Sequence, residues 1–282
     1  MTATGALQIP TRPLAGGGTI PLVGLGTWPL DDATAPAAVA NALGLGYRLI
    51  DTAARYGNEV GVGRGIRDAG VPREELVVTT KLRGADHGRD KVRPALEASL
   101  ERLGLDHVDL YLIHWPLPRL DLYVESYEAM LELADEGLVG AVGVSNFLPH
   151  HIERLISATG VAPAVDQIQL SPALARVGLR AWLEEHGVVP QAWSPLGRSE
   201  GVPGQPVVAQ VAAAHGLTVE QVILRWEVQQ GIVVIPKSGD PARQRSNADI
   251  FDVELTTDEM ALLGGLDLGD DAGADPDVHE EF

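Results

Sequence analysis

The chain has 282 residues, 45% of them apolar, which suits one large α/β barrel or two smaller domains. It has no cysteine, so disulfide scaffolds, thiolate metal sites and cysteine nucleophiles are excluded. Its 21 basic and 39 acidic residues leave a net charge of −18, which argues against nucleic acid or an anionic membrane surface as a partner.

No apolar run approaches the roughly 18 residues of a membrane span. Met1 to Gln8 lacks a basic region followed by an apolar stretch, so no signal peptide is expected. The expectation is a cytoplasmic monomer with no obligatory protein partner. No linker divides the chain, and residues 1–282 read as a single domain.

In chain order, Leu7-Gln8-Ile9-Pro10 and Thr19-Ile20-Pro21-Leu22, split by Gly16-Gly17-Gly18, predict an N-terminal β-hairpin. Eight short apolar runs follow: Leu22 to Gly26, Tyr47 to Ile50, Leu76 to Thr80, Val108 to Ile113, Val139 to Val144, Ala164 to Ile168, Val188 to Ala192 and Ile232 to Ile235. Amphipathic segments separate them. Val92, Leu96, Leu100 and Leu103 share one helix face, and Gly104 stops it. Thr218 with Gln221, and Thr256 with Glu259, spell capping boxes, while Asp240-Pro241 gives an N-cap and a first-turn proline.

Alternating strands and helices imply a parallel sheet, because each parallel crossover needs a helix. Eight such units predict a (β/α)8 TIM barrel. An open doubly wound sheet is the alternative, but G-x-G-x-x-G is absent. Gly61-Val62-Gly63-Arg64-Gly65 comes near it inside an apparent helix and reads as a packing feature.

Chemistry in a barrel gathers at the C-terminal ends of the strands. The residues that follow the runs are Trp28, Asp51, Lys81, His114-Trp115, Ser145-Asn146, Gln167 to Gln169, Trp193-Ser194 and Lys237-Ser238. One polar residue after a strand is ordinary turn chemistry. Eight ends converging on one face are harder to dismiss. Only three of the 21 basic residues are Lys, and two of these, Lys81 and Lys237, stand at strand ends. Asp51 and Lys81 follow consecutive strands and can form an ion pair at the mouth. Tyr56 comes one short loop later, where a nearby ammonium should lower its pKa towards that of a general acid.

Other chemistries fit less well. Asp51 is the lone carboxylate read at the mouth, whereas barrel glycosidases need two. His150-His151 open a helix side by side, so their side chains should diverge, and no metal is expected. Gly143-Val144-Ser145-Asn146-Phe147 misses the last glycine of a nucleophile elbow.

The sequence resembles the aldo-keto reductase family, in its bacterial 2,5-diketo-gluconate reductase-like branch. The resemblance is carried by Asp51-Thr52-Ala53 with Tyr56-Gly57-Asn58-Glu59, Thr80-Lys81-Leu82, Val108 to Pro116, Gly143 to Phe147, Ser194-Pro195-Leu196-Gly197 and Ile235-Pro236-Lys237-Ser238. It implies reduction of small aldehydes or ketones with NADPH on a barrel. Tyr56 would be the general acid, Lys81 paired with Asp51 would tune it, and His114 would orient the carbonyl. Ser145, Asn146 and Gln167 would hold the nicotinamide amide, with Trp193 stacked on the ring. Ser194, Leu196 and Gly197 would follow the pyrophosphate. Lys237, Ser238, Arg243 and Asn247 would hold the adenosine end, the two cations meeting a 2′-phosphate. Trp28 and Trp115 would line the substrate pocket.

Ser246, Ser171, Asp166 and Arg83 depart from the family's common residues, with Arg83 expected near the pocket rim. The segment Gly269 to Phe282 is acidic and reads by composition as a solvated tail. The resemblance makes it a C-terminal loop over the pocket. Two other functions remain open: a cofactor-sensing subunit without significant turnover, and a lyase that uses Lys81 as a Schiff-base nucleophile.

Overall fold

The structure is a computed structural model, and it describes residues 5–281. Half of the Met1 to Gln8 segment, and Phe282 at the end of the expected loop, therefore lie outside the described residues. The N-terminal hairpin forms from β1 (Thr11–Pro13) and β2 (Thr19–Pro21), paired antiparallel. Its first strand starts later than the apolar run suggested. Leu7 instead donates its N–H to Leu45 O, and Leu7 and Ile9 pack on the core. Those two side chains are apolar because they are covered, with no strand partner involved.

Eight parallel strands follow among the described residues: β3 (Leu25–Gly26), β4 (Leu49–Asp51), β5 (Val77–Leu82), β6 (Val108–Ile113), β7 (Val139–Ser145), β8 (Val165–Gln169), β9 (Val189–Trp193) and β10 (Val233–Val234). Each pairs with its predecessor in order. Bridges Val23–Val234 and Gly26–Lys237 join the first to the last, so the sheet closes into the expected (β/α)8 barrel. Gly26 permits this seam, since a Cβ there would lie 2.5 Å from Ile235 O. Inside the barrel Leu49, Leu110, Val165, Val189 and Val233 form a small core with Ile20, so the hairpin plugs the end away from the strand termini.

The helices form the outer ring: α1 (Ala35–Leu45), α2 (Glu59–Ala69), α3 (Arg89–Leu103), α4 (Tyr123–Asp135), α5 (Pro149–Thr159), α6 (Val177–Glu185), α7 (Pro206–His215), α8 (Val219–Val228), α9 (Pro241–Ala248) and α10 (Thr257–Gly264). The sequence signals mark their ends well. Gly104 caps α3 in the left-handed region at φ 67°, and both capping boxes and the Asp240 cap make their bonds. The glycine stripe of α2 is a packing feature. A Cβ at Gly63 would overlap Leu103 O, and one at Gly65 would lie 2.7 Å from Pro36 O. Among the described residues no single helix is long and apolar enough to cross a membrane.

Candidate active site

The floor of the barrel mouth is built on a buried ammonium. Lys81, near the end of β5, is wholly buried, and Lys is almost never found so without partners. Its Nζ donates to Asp51 Oδ1 at 2.7 Å, to Thr52 O at 2.9 Å and to Tyr56 OH at 3.2 Å. The three donors of the ammonium are thereby used. Asp51 ends β4, and its other oxygen accepts Gln167 Nε2 at 2.7 Å. Gln167 also donates to Gln191 Oε1 at 2.8 Å. Tyr56 stands on a single 3-10 turn, Ala54–Tyr56, directly after β4.

Burial pulls the Lys81 pKa down, but Asp51 and Tyr56 outweigh it, and the net direction is up. This opposes the Schiff-base alternative, which needs an accessible neutral amine. For Tyr56 the outcome reverses the expectation. Burial raises its pKa more than Lys81 lowers it, so the phenol is held above its ordinary value. The sequence showed the cation but not the loss of water around the phenol.

His114 follows β6, and its ring meets that of Tyr56 edge-on with centroids 5.7 Å apart. Burial holds the imidazole below its usual range, so it is neutral near pH 7. Trp28 lies on the other side of Tyr56, ring centroids 5.4 Å apart. Above this floor opens a cavity of about 370 Å³. Its wall includes Trp28, Asp51, Tyr56, His114, Trp115, Ser145, Asn146, Gln167, Trp193, Ser194 and Lys237. Every barrel strand thus ends at this cavity or, for Lys81, directly beneath it.

A second cavity, of about 400 Å³, continues from Ser194, Pro195 and Lys237. Leu196, Gly197, Ser238, Arg243 and Asn247 line it, so the predicted cofactor residues fall along one continuous groove. Ser246 and Arg198 line it as well, and Arg198 is tied to Glu220 at 3.1 Å. Lys237 and Arg243 make no ion pair among the described residues. Asn146 is already engaged: its Nδ2 donates to His114 O and Ser145 Oγ, and its Oδ1 accepts Trp193 Nε1 at 2.8 Å. The Trp193 indole is therefore held in place.

The family model described as "Aldo/keto reductase family" matches residues 18–202 and 199–267. The chain belongs to this family. It is 45% identical to the methylglyoxal reductase DkgA of Escherichia coli, over 94% of this chain and 96% of that protein. It is 44% identical to the 2,5-diketo-D-gluconic acid reductase B of a Corynebacterium species, over 98% of this chain and 99% of that protein. A crystal structure of a Gox0644 mutant in complex with NADPH superposes with a TM-score of 0.92 at 38% identity, covering 97% of this chain and 99% of that one. The protein is an aldo-keto reductase, an oxidoreductase of carbonyl compounds.

On this aldo-keto reductase the acidic C-terminal segment is bound to the barrel mouth. Asp277, His279, Glu280 and Glu281 each meet a side chain of the barrel. His279 stacks on Trp115 with centroids 3.8 Å apart, and Glu280 meets Arg119 at 2.7 Å. His150 and His151 do not diverge. Their Nε2 atoms lie 3.1 and 3.0 Å from Asp277 Oδ1. The first turn of α5 lets both rings fold back towards one acceptor, Asp277 on the tail. His151 Nδ1 accepts the Leu148 N–H, so its proton rests on Nε2, which then offers no lone pair to a metal.

Gln169 also belongs to the tail's anchorage, accepting the Ala274 N–H at 3.2 Å, and lies outside the wall of the carbonyl cavity. Arg83 turns to Asp86 at 2.6 Å, away from that wall. Arg55, Gln191 and Glu281 were missed. Glu281 Oε1 approaches His114 Nδ1 to 2.9 Å without hydrogen-bond alignment. Asp51 is thus not the lone carboxylate at the mouth. It is, however, committed to Lys81 and Gln167, so a facing acid–base pair still does not form. The polar residue after each strand was a visible signal; for Glu281 the resemblance gave the segment Gly269 to Phe282 but not the residue.

Proposed function

We propose that the protein reduces aldehydes and ketones to alcohols with NADPH, and that Tyr56 donates the proton. One observation carries this reading: the ammonium of Lys81 touches both Asp51 and the Tyr56 hydroxyl beneath a cavity of about 370 Å³. NADPH, when bound, supplies the hydride.

The groove residues suit that cofactor. Trp193 offers a flat face where the two cavities meet. Ser145, Asn146 and Gln167 provide polar atoms for the carboxamide. Lys237 and Arg243 are cations without ion-pair partners among the described residues, in a protein of net charge −18, as a 2′-phosphate requires. At the floor, the burial that raises the Tyr56 pKa keeps the phenol protonated, which is the form a proton donor needs. As the substrate oxygen gains charge it takes that proton. Lys81 stabilises the phenolate left behind, while Asp51 and Thr52 O hold Lys81 in place. His114 forms the adjoining wall and orients the carbonyl.

Tyr56→Phe should lower NADPH oxidation with methylglyoxal about 100- to 10,000-fold and leave NADPH binding, read by fluorescence, intact. Near-normal turnover ends the assignment of Tyr56, whereas a wild type that binds NADPH but turns over no carbonyl would favour a cofactor-sensing role. Arg243→Ala should weaken NADPH about tenfold and spare NADH, since a charge-assisted hydrogen bond contributes about 1.5–3 kcal/mol. Equal losses for both cofactors would make Arg243 a general support of the adenosine end.

A further inference from the structure

The cavity wall carries one charge that carbonyl reduction does not require. Glu281 has a side chain only 9% exposed, with Oε1 2.9 Å from His114 Nδ1. Its Oε2 accepts the Gly84 N–H at 3.3 Å. Gly84 makes this approach possible, because a Cβ there would overlap Glu281 O. The neighbouring stack of His279 on Trp115 fixes the chain just before it. Burial raises the Glu281 pKa, but the His114 contact, the Gly84 N–H and Arg55 outweigh it, so the group is a carboxylate at neutral pH.

Two acids line this cavity among the described residues, and they differ in compensation. The charge of Asp51 is met by Lys81 at 2.7 Å. That of Glu281 faces a neutral imidazole, with Arg55 exposed at the rim. The wall on the His114 side therefore carries a carboxylate met by the exposed Arg55 alone among the lining cations, since Lys237 stands where the second cavity begins.

We propose that Glu281 is a specificity-determining residue, which makes the site take uncharged carbonyls and reject those with a carboxylate on the carbon next to the carbonyl. This rests on the reading that Tyr56 and His114 receive the carbonyl oxygen. A substrate oxygen at His114 and the carboxylate of Glu281 then flank the same imidazole ring. Across the ring the two lie roughly 7–8 Å apart, and a carboxylate one bond from the carbonyl stays within reach of the Glu281 charge, inside a Debye length at physiological salt. Small neutral dicarbonyls of the methylglyoxal type meet no such penalty.

The test compares pyruvate with methyl pyruvate, one ketone with and without the charge, using the NADPH-loaded enzyme. Glu281→Gln keeps the shape and removes the charge. Its ratio of kcat/KM for pyruvate over methyl pyruvate should rise about tenfold over wild type. A rise of less than about threefold overturns the proposal. A second measurement needs no turnover: pyruvate titrated into the NADP+-loaded protein, followed by tryptophan fluorescence. The Gln variant should bind pyruvate more tightly, and equal affinities overturn the proposal. Wild type inactive on methyl pyruvate and methylglyoxal alike would sink the reductase reading itself, whereas turnover with an unmoved ratio sinks only the role of Glu281.

Discussion

The floor and the lid of the active site use the same chemistry, carboxylates against cations, in opposite surroundings. At the floor Lys81 and Asp51 are 0% and 2% exposed, and both arise from strand ends fixed by the barrel ladder. On the lid Arg119 and Glu280 are 72% and 39% exposed, and the carboxylate rides on the chain end. A buried pair loses so much hydration that it persists only while both partners are present. An exposed pair exchanges one partner for water at little loss. The floor should therefore be brittle and the lid adjustable, which suits the proton transfer and the substrate selection proposed for them.

The sharpest way to break this contrast is at Lys81. Lys81→Met strands the Asp51 carboxylate in the floor, and removing one member of a buried pair is destabilising by about 3–5 kcal/mol. Denaturant titration should show that loss, and turnover should fall at least about 100-fold with it. Asp51→Asn should be milder, because Lys81 keeps its charge and its bonds to Thr52 O and Tyr56. A soluble, fully stable Lys81→Met protein would remove the distinction between floor and lid.

A smaller effect is expected one residue behind the floor. Asp166 precedes Gln167 on β8 and accepts the Phe147 N–H at 3.3 Å, below the turn that presents Asn146. Burial pushes its pKa up to about 8, against the N–H of Phe147 and the charge of Arg176. The folded protein thus holds a proton that the unfolded chain releases between roughly pH 4 and the folded value. The contribution of Asp166 to stability falls as pH rises through that window. Asp166→Asn should flatten the fall, seen as a smaller gap between denaturation midpoints at pH 5 and pH 8. Glu227, whose buried carboxyl is raised in the same direction, adds to the fall, while His87 and His151, held down to about 4 by burial, oppose it below about pH 6.5. An unchanged gap would mean that water reaches Asp166.

The smallest effect belongs to the lid. Arg119→Ala removes a pair that solvent already screens, so Tm should stay within error of wild type. A clear drop in Tm would show that the tail is part of the cooperative fold. It would also narrow the contrast drawn from burial.

Local rules carried much of the structure. The eight strands, the caps at Thr218, Asp240 and Thr256, and the stop at Gly104 are written in short patterns, because strand period and cap geometry act within a few residues. A closed barrel then brings the residues after its strands together, so Asp51, Lys81, His114 and Asn146 could be placed around one mouth from spacing alone. What only the tertiary structure decided depends on burial and on partners distant in sequence. Desolvation turned the Tyr56 shift upwards, and Asp277 drew His150 and His151 together. The tail also placed Glu281 beside His114. A carboxylate in an acidic terminus looks the same in sequence whether it faces water or an active site, since its energy is set by the groups that displace its water.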